Sequence, residues 1–101
     1  AKRYSNEIGI DNKMPYDENC SYHFYWILVK DRTKFRKAMN DAGIETGTHY
    51  RPIHTMSMYK NKTKLEFTEK IGNEIVVLPT HPNLSDDDVD RIISAVNNFL
   101  R

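Results

Sequence analysis

The segment Ser85 to Leu100 constrains this chain more than any other. Val89, Ile92, Ile93, Val96, Phe99 and Leu100 recur at helical spacing and form one continuous apolar stripe. Ser85 followed three residues later by Asp88 makes a capping box. Asp86, Asp87 and Asp88 stand where the positive end of the helix dipole favours acids. A helix of this length is stable in water only when its apolar face is covered. The rest of the chain must therefore supply a layer for it to pack on.

The aromatic and β-branched run Tyr22 to Lys30 reads as a strand, apolar on both faces at its centre. Asp31 to Ala42 reads as a helix, with Asp31 as N-cap, Phe35, Ala38, Met39 and Ala42 on one face, and Gly43 at C′. Ile44 to Tyr50 reads as a second strand ended by Pro52, and Ile75 to Leu78 as a short buried strand closed by Pro79. Phe67 to Asn73 fits one or two helical turns. Tyr4 and Ile8 share a face of a short helix end stopped by Gly9, and Asp11 to Ser21 is loop. The expected class is α+β: a small β-α-β-β-α sandwich whose three-stranded sheet carries both helices on one face. A right-handed crossover joins the first two strands, and the third inserts between them, antiparallel to both. The expected division is residues 1–20 as the end of a connecting helix and a loop, and 21–101 as a small α/β domain.

With 101 residues the chain is one domain at most. Fifteen Lys and Arg against 14 Asp and Glu leave a net charge of +1, which argues against a dedicated nucleic-acid binder. The basic cluster Lys30, Arg32, Lys34, Arg36 and Lys37 keeps that reading open, but a solvated helix face explains it as well. The longest apolar run, Phe24 to Val29, is too short to span a bilayer. One cysteine, Cys20, and no apolar leader between Ala1 and Ile10 point to a cytoplasmic protein. The missing initiator Met suggests processing or excision.

The densest chemistry is His49-Tyr50-Arg51-Pro52-Ile53-His54. Two imidazoles, a phenol and a guanidinium at one strand exit suit hydrogen bonding to a polar, phosphorylated ligand. The bland reading is a surface loop whose side chains cap its own backbone. Metal binding is not expected, since Pro52 forbids a helix that would bring His49 and His54 onto one face. His23 reads as a half-buried strand residue and His81 as part of a turn. Asn61-Lys62-Thr63 and Asn83-Leu84-Ser85 match the glycosylation pattern, a frequent chance match. No nucleophile elbow and no phosphate-binding glycine loop is present.

Gly43-Ile44-Glu45-Thr46-Gly47-Thr48-His49-Tyr50-Arg51-Pro52-Ile53-His54 followed by Tyr59 resembles a segment of the DegT/StrS-type sugar aminotransferases. Their Leu-Pro-x-His-Pro-x-Leu-Ser turn is similar to Leu78-Pro79-Thr80-His81-Pro82-Asn83-Leu84-Ser85, and their Tyr-His-x-Tyr strand to Tyr22-His23-Phe24-Tyr25. The resemblance implies the C-terminal small domain of a fold-type I enzyme that uses pyridoxal phosphate to move an amino group onto a keto sugar attached to a nucleotide. It implies that His49, Tyr50 and His54 face that substrate. Arg51 is not a fixed family residue and meets either a diphosphate or solvent. It also implies a homodimer when full length, in amino-sugar or polysaccharide biosynthesis. No lysine here stands in the context of the cofactor-binding one, so this chain is expected to hold no cofactor and to be inactive alone. The alternatives are a stand-alone binding or regulatory α+β module, and a nucleic-acid-binding domain built on the basic helix.

Overall fold

The computed structural model describes residues 1–59 and 63–101. Two strands, β1 (Tyr25–Leu28) and β2 (Ile75–Leu78), pair antiparallel with Tyr25 opposite Leu78 and Leu28 opposite Ile75. Both are rich in β-branched or aromatic residues, which suit a pleated, covered surface. Tyr25 and Ile27 are fully buried, while Trp26 and Leu28 on the opposite face are half-buried.

Among the described residues the sheet has two strands, not the three expected. Ile44 to Tyr50 contributes a single bridge, in which Gly47 and Val77 exchange backbone hydrogen bonds of 3.0 and 2.8 Å. The placement foreseen for the last strand holds, since β2 lies between β1 and Gly47 and is antiparallel to both. Ile44 is unavailable to the sheet because it closes the preceding helix. The strand foreseen over Tyr22 to Lys30 is also shorter. Tyr22 has φ 48°, a left-handed conformation that a strand cannot continue through, and His23 is exposed rather than half-buried. The other edge of β1 is covered by the loop Asn12 to Met14, with Met14 N–H on Trp26 O and Leu28 N–H on Asn12 O, each at 2.9 Å.

The helices are α1 (Lys2–Glu7), α2 (Arg32–Asp41), α3 (Glu66–Glu74) and α4 (Asp86–Phe99). α2 begins at Asp31, whose carboxylate accepts from Lys34 N–H at 3.3 Å. It ends in a Schellman arrangement: Gly43, with φ 77°, donates to Asn40 O, and Ile44 donates to Met39 O. α4 starts with the foreseen capping box, Ser85 Oγ accepting from Asp88 N–H and Asp88 Oδ2 from Ser85 N–H, both at 3.1 Å. Those bonds to Ser85 hold the Asp88 carboxyl below its usual range. Ser85→Ala should lower stability by about 1 kcal/mol, read as a shift in urea midpoint.

The core joins Tyr25, Ile27, Phe35, Met39, Val76, Leu78, Ile92, Ile93 and Val96 with Tyr4 and Ile8 from the first turns of the chain. α1 is pinned to α4 by Arg3 on Asp90 at 2.6 Å and by Asn97, which donates to Glu7 O and accepts from Gly9 N–H. Tyr4 Oη donates to Pro79 O at 2.7 Å, and burial pushes its phenol up to about 12.

The basic cluster is largely committed within the chain. Arg32 donates to Gly72 O at 2.6 Å, Arg36 to Thr46 O at 2.9 Å and Lys37 to Asp41 at 2.9 Å, and Lys34 pairs with Asp31 at 3.5 Å. These contacts favour the solvated-face reading over a nucleic-acid surface. The Asn61 glycosylation pattern lies outside the described residues, and Ser85 of the other is the α4 cap. Among the described residues no helix is long and apolar enough to cross a membrane.

Candidate functional site

The chain leaves the sheet at Gly47 and passes directly into the polar segment. The His49 ring comes close to Gly47: a Cβ there would stand 2.5 Å from His49 Cε1 and 2.7 Å from its Nδ1. Gly47 is tied to Val77 on both its N–H and its C=O, so the backbone under the imidazole is fixed. The ring also stacks against Phe24 of the β1 approach, with centroids 5.9 Å apart and planes at 13°. Tyr50 meets the imidazole edge-on at 4.8 Å and is 68% exposed. The His49–Tyr50 peptide bond is cis.

Pro52 then caps a short 3-10 turn, Ile53–Thr55. Arg51 folds back along this turn, with Nη2 on Thr55 O at 3.0 Å and Nε on Thr55 Oγ1 at 3.3 Å. Thr55 Oγ1 in turn donates to Pro52 O at 2.6 Å. The guanidinium is therefore bonded to its own turn. His54 lies against α3. Its side chain is 12% exposed, and its Nε2 is buried with no hydrogen-bond partner, 3.6 Å from Glu69 Oε2 on α3. That gap exceeds hydrogen-bond length.

Of the four residues singled out from sequence, the structure joins His49 and Tyr50 in one exposed aromatic group. It turns Arg51 back on its own turn, and His54 inward to α3. A hollow of about 340 Å³ lies between loop and helix, lined by Arg32, Thr48, Arg51, Thr55, Glu69 and Asn73 among others. A larger one, about 660 Å³, has Leu28, Phe67, Ile71 and Phe99 in its wall and none of the four site residues. Sequence reasoning missed Phe24, Glu69 and Gly72 as parts of the site. One signal was available: Gly72 sits inside a helix, where glycine is disfavoured.

The described residues do not fit covalent attachment of pyridoxal phosphate. A Schiff base needs a lysine held as the free amine in a desolvated pocket. Every described lysine except Lys13 is exposed, and Lys13 donates to Ile8 O at 2.6 Å. Asp41 raises the Lys37 pKa, the wrong direction for such a role. Among the described residues no group of three or more His, Cys, Asp or Glu is placed to hold a metal.

The model of the DegT/DnrJ/EryC1/StrS aminotransferase family matches residues 4–97. The chain is 33% identical to the GDP-perosamine synthase of Escherichia coli O157:H7, over 98% of this chain and 29% of that enzyme. It is 32% identical to the dTDP-3-amino-3,6-dideoxy-alpha-D-galactopyranose transaminase of Aneurinibacillus thermoaerophilus, over 82% of this chain and 24% of that enzyme. The crystal structure of the aminotransferase TlmJ from Streptoalloteichus hindustanus superposes with a TM-score of 0.87 and 30% identity, covering 98% of this chain and 29% of that one.

Proposed function

The chain belongs to the DegT/DnrJ/EryC1/StrS aminotransferase family, and from that premise we propose that it is the C-terminal domain of a pyridoxal-phosphate-dependent aminotransferase acting on nucleotide-linked keto sugars. The carrying observation is the loop His49 to His54, whose exposed His49–Tyr50 pair is backed by Phe24 and anchored on Gly47. A fixed loop with open polar groups can orient a substrate without performing the chemistry. In this reading residues 1–20 are the end of the helix and loop that connect to a larger N-terminal domain, which holds the cofactor. Residues 21–101 are the small domain that closes over the cleft. His49 and Tyr50 contact the nucleotide sugar, and His54 supports the loop from behind. Arg51 adds positive charge beside the diphosphate while it braces the turn. The enzyme works as a homodimer in the cytoplasm, supplying amino sugars for polysaccharide biosynthesis.

Tyr50 is the better probe because His54 is enclosed while Tyr50 is open. In the full-length enzyme, Tyr50→Ala should raise KM for the nucleotide sugar by roughly tenfold, as expected when a positioning contact is lost. The half-reaction with the amino donor should stay within about twofold, because that substrate does not meet the ring. Stability should change by no more than about 0.5 kcal/mol, as for other surface side chains. Single-turnover kinetics of the two half-reactions, with the melting temperature as control, check all three. Equal losses in both half-reactions would count against a loop that faces one substrate only.

A further inference from the structure

Pro52 and the 3-10 turn that follows it rest against α3. The contact is unusually close. A Cβ at Gly72 would stand 2.5 Å from Pro52 Cγ and 2.7 Å from Pro52 Cδ, nearer than real carbon contacts allow. Gly72 lies in the interior of α3, where alanine is the better helix former. Its φ is not in the left-handed region, so its conformation does not call for glycine. The remaining reason is the approach of the Pro52 ring.

A second contact joins the same two elements. His54, two residues after Pro52, has its buried Nε2 3.6 Å from the Glu69 carboxylate, one helical turn before Gly72. Glu69 is itself fixed by accepting from Leu65 N–H at 2.9 Å, at the start of α3. The far end of the helix is held by Arg32, which donates to Gly72 O at 2.6 Å and to Ile75 O at 3.3 Å. α3 is thus capped at its start by its own Glu69 and tied to α2 near its end by Arg32, at the turn where Pro52 meets it.

We propose that Gly72 is the positioning residue of the substrate loop: the missing side chain sets how deeply Pro52 settles on α3, and through it where His49 and Tyr50 stand. The inference rests on the assignment of that loop to the nucleotide sugar. Gly72 touches no substrate and acts only through Pro52. Pro52 transmits the displacement because its ring fixes the backbone between Arg51 and the 3-10 turn.

The test uses the full-length enzyme and three variants: Gly72→Ala, Pro52→Ala and the double variant. Gly72→Ala should retain α3 and the melting temperature. In its crystal structure residues 49–55 should be displaced from the helix. KM for the nucleotide sugar should rise by roughly tenfold or more, while the donor half-reaction is unchanged, since small misplacements of positioning groups have effects of this order. Removing the ring that the new methyl group strikes should restore binding, so the double variant should have a lower KM than Gly72→Ala. An unmoved loop, an unchanged KM, or no rescue by Pro52→Ala would each overturn the proposal. A wild-type enzyme that turns over no nucleotide sugar would instead remove the assignment of the loop, whatever the variant structures show.

Discussion

Phe35→Ala should remove about 3–5 kcal/mol of unfolding free energy from this chain. Phe35 is 0% exposed and lies in the cluster with Met39, Ile44 and Val96. Its ring meets Phe99 edge-on, with centroids 5.1 Å apart and planes at 88°, so one side chain ties α2 to α4. Truncation loses both the buried area and the aromatic pair, and the site is too enclosed to collapse fully. Domains of this size hold about 5–15 kcal/mol in total, so the variant should sit close to its unfolding transition at room temperature. A urea titration should show a much lower midpoint with an unchanged slope. Phe67→Ala is the matched control. Phe67 is 84% exposed, and its loss should stay within about 0.5 kcal/mol. Comparable effects from the two would mean that α2 is not the core helix described here.

The elements that were legible in the sequence are those specified by their own side chains. α4 carries its stripe and its capping box within one segment. α2 carries its N-cap at Asp31 and its stop at Gly43. The errors fall where the backbone decides. Ile44 to Tyr50 reads as a strand ended by Pro52, yet Ile44 is held at the end of α2 by its bond to Met39 O, and only Gly47 reaches β2. Tyr22 has a good strand side chain and a left-handed φ of 48°. Conversely, Asn12 to Met14 reads as loop because its residues are polar and mixed. It nonetheless covers the edge of β1 with main-chain bonds that need no particular side chain.

The site divides in the same way. Its chemistry is concentrated in a few adjacent residues, so His49, Tyr50, Arg51 and His54 stood out from composition alone. Their surroundings did not, because those of His49, Pro52 and His54 include partners distant in the chain. Phe24 decides that His49 is stacked, Glu69 that His54 faces inward, and Gly72 that Pro52 lies close to a helix. Arg51 was ambiguous between ligand and brace. It bonds Thr55 within its own turn while staying exposed, and the sequence shows neither feature.

The second large effect is all-or-none. The chain spans 29% of the length of the GDP-perosamine synthase it resembles, and its described lysines are exposed or tied to backbone. A lysine that forms a Schiff base is desolvated or set beside another cation. The 101-residue chain should therefore transfer no amino group and acquire no specific cofactor adduct. The full-length enzyme should do both. The central claim is that this domain orients the sugar nucleotide while a lysine elsewhere in the polypeptide performs the chemistry. The most direct measurement is borohydride reduction of both polypeptides in the presence of pyridoxal phosphate, followed by peptide mass mapping. The expected result is one stoichiometric adduct in the full-length enzyme, on a lysine outside these residues, and none on the isolated chain. A stoichiometric adduct on a single lysine of this chain would contradict it.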